Sequence, residues 1–498
     1  MHQIRKVSAG NQAAIPVWHA SRRNGWLSVA AVSAAALLTA GCGQSYRPVV
    51  SAINPVGPAG QPTKFAIALS IPSATSKGLI TAVDFSGDTI LATPSVLQNP
   101  TYFTLGNGGT TAYIINASGS LDSVPVSNPA NLITSDVSQT TLVAGSNPVS
   151  ISPIAGTNSG TIIFIPQTGS GSNASIAALT AIGPSLLANI ATGTNPNYVV
   201  GNTGAARVYA LVSGTGAGPG QVLGIETTTA QPTISTTLTV GTNPVYGIMP
   251  ADLQRAFILN KGSGTVSVIN TSTNALDATT PTIPNAALNP GLTTLGQNPI
   301  WAVSVPALFE LAVLNAGDGV HPGSLSIISV PLCNQGTPVT NPNCNAANPT
   351  DAVGFGTVVA TVPVGVNPTM VDVLSDGSRA YVVNQANVAG VCNGEGSVTV
   401  VNLTANVVTS TICATSSAAS TIDASTSPTL VYGHPNTLSV TSGVPTGKVY
   451  ITSWDSKFMT VLRTDLDTVQ THISLQGLGL PLATGSHPQT PGVLVTQP

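Results

Sequence analysis

The sequence predicts an all-β fold, a closed ring of four-stranded antiparallel sheets, and three observations predict it. Charged residues make up only 6% of the 498 positions, against roughly 25% in an ordinary soluble protein, so solvation falls to Ser, Thr, Asn and Gln. Fifty Gly and 38 Pro punctuate the chain with turns, Val, Ile and Thr alternate in short runs between them, and no long helical periodicity follows residue 41. A chain of this length must either split into domains or repeat a unit, and a recurring marker shows that it repeats.

The marker is Gly, one or two residues and Pro, usually with Asn before the Pro. It falls at Pro100, Pro148, Pro196, Pro244, Pro299, Pro368, Pro435 and Pro488, with spacings of 48, 48, 48, 55, 69, 67 and 53. Equal intervals followed by longer ones describe one supersecondary unit that accepts insertions in its loops. The unit from 368 shows the plan: runs over 369–374, 379–384, 396–402 and 406–412, with Asp376-Gly377 as the hairpin turn between the first two. The second run recurs as Ala112 to Asn116, Ala256 to Asn260 and Ala380 to Asn384, and the third as Gly264 to Asn270 and Gly396 to Asn402.

At these residues the chain resembles the YVTN family of β-propeller repeats, from about residue 64 to the end. The resemblance weakens over 148–240, where Pro166 and the Gly-rich stretch 214–220 depart from the pattern. It implies a β-propeller, whose sheets pack face to face around an axis and so explain strands apolar on both sides. It implies no single function, because the scaffold hosts binding proteins and enzymes alike. Seven complete units run from 100 to 487. The runs at 65–70, 79–84 and 89–93 match second, third and fourth strands, and Val493 to Val495 supplies the missing first strand. Eight blades closed by the C-terminal strand are therefore expected, with seven as the alternative if the N-terminal unit is only a cap.

Ahead of the ring, Arg5, Lys6, Arg22 and Arg23 precede an apolar stretch from Trp26 to Ala40 and then Leu38-Thr39-Ala40-Gly41-Cys42. This resembles a bacterial lipobox, which implies a signal peptide over 1–41, lipidation of Cys42, a tether over 42–63 and a propeller domain over 64–498. Gly43 rather than Asp after the Cys implies an outer-membrane or surface destination by the sorting rule of lipoproteins. Export makes the four later cysteines disulfide candidates, paired locally as Cys333 with Cys344 and Cys392 with Cys413. Without Cys-x-x-Cys spacing or a neighbouring His, no metal is expected there.

A formal net charge of −3 with scattered Lys and Arg excludes a nucleic-acid footprint. No cofactor motif opens a helix, so no cofactor is expected. The predicted inner strands carry almost no ionisable group, Tyr198 and Asp372 being the exceptions, with Asp252 nearby. Asp372 is expected to satisfy a neighbouring backbone or hydroxyl group. His434 and His487 replace Asn at the marker and are read as turn residues, although closure of eight blades would bring them near each other. Asp372, Glu395, His434 and His487 are the weak binding candidates, and no catalytic set is assigned. Long loops at 278–298, 385–396 and 414–434 belong to one face and predict a protein or glycan contact, while the insertion 331–356 on the opposite face is read as a spacer. The expectation is a monomeric, non-catalytic envelope lipoprotein; a lactonase-like hydrolase at the channel mouth is the alternative. So few titrating groups predict a stability that changes little with pH.

Overall fold

A computed structural model describes residues 65–72, 76–106, 108–155, 161–169, 174–193, 195–229, 231–284, 297–333, 350–415, 429–441, 447–476, 478–479 and 493–496. Cys42, Cys344 and His487 lie outside the described residues. Those residues form eight antiparallel sheets, an eight-bladed β-propeller with almost no helix. Blade 1 begins with Phe65–Ile71 and Lys77–Asp84. Blades 2 to 8 begin at the innermost strands Pro100–Gly106, Ser152–Ala155, Pro196–Val200, Pro244–Ile248, Pro299–Val305, Val366–Val373 and Pro435–Val440. Each innermost strand contacts its successor around the axis.

Closure follows the expected route. Val493–Thr496 pairs with Phe65–Ile71 in register Ala66 with Val495, Ile67 with Leu494 and Ala68 with Val493. Leu478–Gly479 adds a second short pairing at Ser70 and Ile71 that sequence reasoning did not anticipate. The weakly matching stretch 148–240 forms regular blades as well. Pro166 sits inside the strand Thr161–Gln167, where its carbonyl still accepts a 3.0 Å bond from Val149 N–H although its ring nitrogen can donate none.

The repeated residues have repeated tasks. Asn99, Asn147, Asn243, Asn298 and Asn367 all hold φ between 46° and 56°, the left-handed region that Asn tolerates better than most side chains. Their carbonyls accept from the residue just after the second strand, as in Ala117 to Asn99, Lys261 to Asn243 and Ala316 to Asn298, each at 2.9 Å. The marker asparagines are thus structural, acting through backbone conformation, to which Asn298 adds a 2.6 Å side-chain bond from Nδ2 to the Gly317 carbonyl. The Asn ending each second strand is buried and ties it to the third: Asn384 donates to Ser397 Oγ at 3.1 Å and Thr399 Oγ1 at 2.9 Å, and Asn315 to Ser324 and Ser326 at the same distances. The Gly that opens a third strand packs on the next blade's marker proline. A Cβ on Gly396 would lie 2.6 Å from the Pro435 ring, and one on Gly323 2.5 Å from the Pro368 ring.

Blades are also clasped by polar contacts. The first and third residues of a second strand reach the strand 3–4 turn of the next blade. In blade 7, Arg379 Nη1 and Tyr381 Oη both meet the Asp467 carboxylate at 2.6 Å. In blade 8, Lys448 Nζ lies 2.7 Å and Tyr450 Oη 3.2 Å from Asp88 Oδ1, which locks blade 8 to blade 1 at the ring's seam. In blade 5, Arg255 Nη2 reaches Asp351 Oδ1 at 3.1 Å. Asp351 belongs to the described end of the 331–356 insertion, so this end is tied to the preceding blade and is more than a spacer. Buried hydroxyls complete the set, with Tyr113 Oη donating to the Ala181 carbonyl at 2.9 Å.

Candidate functional site: an axial cavity and a loop face

The innermost strands enclose a cavity of about 630 Å³. In five blades their register places the residue two after the marker proline on the wall: Tyr102, Tyr198, Tyr246, Trp301 and Met370 all line it. Tyr198 and Tyr246 have ring centroids 4.8 Å apart, and Tyr246 stacks on Trp301 at 4.3 Å, so three consecutive blades present a continuous aromatic band. Burial pushes the Tyr198 phenol up to about 12 and Tyr246 well above its usual range, so both stay protonated donors. The indole Nε1 of Trp301 is buried and meets no acceptor among the described residues. Sequence reasoning missed this band, although its signal was available as an aromatic residue at a fixed offset from the marker in four units.

Asp372, two positions further along its strand, is the sole carboxylate among the described lining residues. Oδ1 accepts from its neighbour Val373 N–H at 2.9 Å and Oδ2 from Val440 N–H of blade 8 at 3.0 Å. Burial raises its pKa to about 6 against the opposing pull of those two amides. The carboxylate therefore stitches two inner strands together while facing the cavity. The cavity reaches Pro250, Ala251 and Pro306, in the turns that follow inner strands, and so approaches the face of the strand 1–2 loops.

His434, Glu395, Cys392 and Cys413 lie on the opposite face, formed by strand 2–3 loops and blade-to-blade connections. His434 precedes the marker Pro435; Asp455 accepts its N–H at 2.7 Å, and the other carboxylate oxygen lies 2.7 Å from Nδ1. The imidazole stacks on Trp454 at 5.5 Å, and that indole is 40% exposed. Glu395 sits beside Gly396, whose contact with Pro435 brings it into the neighbourhood of His434; its carbonyl accepts from Asn387 Nδ2 at 2.6 Å. Cys392 and Cys413 form the expected disulfide, with Cα atoms 5.2 Å apart. Cys333 is also disulfide-bonded, while its expected partner Cys344 lies outside the described residues. The pinned loop exposes Val388 and Val391. The strand 2–3 loops of blades 7 and 8, with the connection between the two blades, carry these residues on the same face, and Trp454 was not foreseen, because nothing local in the sequence distinguishes an exposed indole from a core one. Loops 278–298 and 414–434 fall partly outside the described residues. Among the described residues, no group of three His, Cys, Asp or Glu is placed to hold a metal ion, and no helix is long and apolar enough to cross a membrane.

No protein-family model and no curated protein matches the sequence. Solved structures do resemble the fold. A dihydro-heme d1 dehydrogenase, NirN, in complex with DHE aligns with a TM-score of 0.56 at 11% identity, over 86% of this chain and 76% of that one. AztD of Citrobacter koseri in its apo form aligns at 0.52 and 9% identity, over 87% and 97%. The periplasmic gluconolactonase PpgL of Pseudomonas aeruginosa aligns at 0.47 and 16%, over 70% and 94%. At such identities the likeness is one of fold, the β-propeller, and the function must come from the site.

Proposed function

We propose that this chain is a lipid-anchored cell-envelope propeller of the YVTN type that binds a protein or glycan partner on its loop face and catalyses no reaction. The observation that carries the binding reading is Trp454. It is a large amphipathic side chain left exposed and stacked on His434, which Asp455 holds in turn, on a rigid ring. Such held aromatics supply contact area at little entropic cost, and they are enriched among the residues that dominate interfaces. The non-catalytic reading rests on Asp372, since hydrolysis needs a free acid–base group near the reacting atoms and both oxygens of this carboxylate already accept backbone amides.

Trp454→Ala is expected to abolish capture of partners from an outer-envelope extract, or of glycans on an array, at an unchanged unfolding midpoint. Undiminished capture by this variant and by Val391→Asp would overturn the loop-face reading. Cys42→Ser should release the protein from membranes and end labelling by fatty acid. The hydrolase reading has one observation in its favour, a carboxyl titrating near neutrality in an enclosed cavity. Lactone hydrolysis by the wild type that Asp372→Asn removes would establish it instead.

A further inference from the structure

The blade clasp has one reversed position. The first residue of the second strand is Arg207 in blade 4, Arg255 in blade 5, Arg379 in blade 7 and Lys448 in blade 8, each opposite the end of the third strand. In blade 6 the equivalent residue, paired in the same way with Ser329, is Glu310. Its Oε2 is buried and meets no donor among the described residues, and burial raises its pKa. A buried carboxylate oxygen without a donor is destabilising, since the charge loses its water and gains nothing in exchange.

Glu310 borders a separate cavity of about 310 Å³ between blades 5 and 6, on the strand 1–2 face beside the axial mouth. The rest of its wall is mainly apolar, with Phe257, Phe309, Val330 and Leu332. The one guanidinium present already has carboxylate partners: Arg255 Nε lies 2.9 Å from Asp277 Oδ2, Nη1 donates to the Gln254 carbonyl at 3.0 Å, and Nη2 reaches Asp351. Those two carboxylates offset its charge, and with Asp252 also on the wall beside Glu310 the pocket carries an excess of negative charge. An apolar chamber with an unmatched carboxylate selects a ligand that has an apolar body and a cationic donor.

We infer that this pocket binds a small primary ammonium compound with an apolar body, its ammonium group supplying at Glu310 the positive charge that Arg or Lys supplies in blades 4, 5, 7 and 8. This site is independent of the loop face, so failure of one leaves the other standing. The test is calorimetric titration of the whole mature protein with benzylammonium chloride and, in parallel, with neutral benzyl alcohol. Benzylammonium should bind saturably and benzyl alcohol at least about tenfold more weakly, and Glu310→Gln should weaken the ammonium by a similar factor. In the absence of ligand, Glu310→Gln should unfold at the same or a higher temperature, because it removes an unmatched charge. Equal binding of the two probes, binding of neither, or a lowered midpoint in the unliganded variant would each overturn the inference.

Discussion

Asp372 shows how a chain with few charges can still respond to pH. The folded protein holds its proton up to about pH 6, whereas a carboxyl in an unfolded chain titrates near 3.9. Stability from this group is therefore complete below about pH 4 and declines as pH rises through 6, by a total on the order of 3 kcal/mol. Burial also raises Asp88, Asp122, Asp351 and Glu310, all in the same direction. Asp277, Asp318, Asp376 and Asp465 are held below their usual range by hydrogen bonds and cations, so they act in the opposite sense, and the profile depends on where the carboxylates sit as well as on how many there are. Denaturant unfolding at pH 4 and 7.5 should show that Asp372→Asn gains stability relative to the wild type as pH rises, by the amount that the Asp372 carboxyl loses; identical pH differences in the two proteins would contradict this account. The aromatic band was legible at this scale, since its residues keep one offset from the marker. Trp454 and Glu310 were not, because exposure and the lack of a donor are properties of neighbours that the local sequence does not name.

Within the elements, the local pairings were the most readable. Antiparallel strands joined by short turns bring residues together that are close in sequence, so the second, third and fourth strands of a blade announce themselves by hydrophobic runs and turn residues. The Cys392–Cys413 disulfide is local in the same sense, closing a separation of 21 residues. Its removal by a double Cys→Ser change should lower unfolding stability by about 3 kcal/mol in the chain-entropy model, measured by denaturant titration under oxidising conditions; an unchanged midpoint would mean that strand pairing alone fixes the loop. Deleting residues 385–396 outright would remove Cys392 as well, so a fall in stability on deletion reports on the disulfide rather than on partner binding. The insertion 331–356 was misread because its anchor, Arg255, lies 96 residues before Asp351, a separation at which no pattern in one sequence identifies a partner.

For the whole ring, closure is the decisive event. The strand Phe65–Ile71 pairs on one side with Lys77–Asp84 and on the other with the chain's last described strand. Without that last strand a row of backbone donors and acceptors at the innermost position would be left open, which templates association with other chains. Truncation after residue 476 should therefore lower the unfolding temperature and shift the protein from monomer to aggregate in light scattering; a truncated chain that stays monomeric with the same midpoint would mean that the Lys448–Asp88 clasp suffices to hold the seam.

The sequence by itself determined the repeating unit and the order of its blades, because each blade is built from neighbouring segments and its marker recurs where new inner strands begin, while the choice of eight blades over seven was decided by the pairing of the last strand with Phe65–Ile71. Only the tertiary structure decided which inner residues stack, which carboxylates find donors and which face holds an exposed indole. Those outcomes depend on contacts between blades, such as Gln470 with Asp88 across 382 residues, whose energies are set by burial and by geometry that no local stretch of the chain encodes.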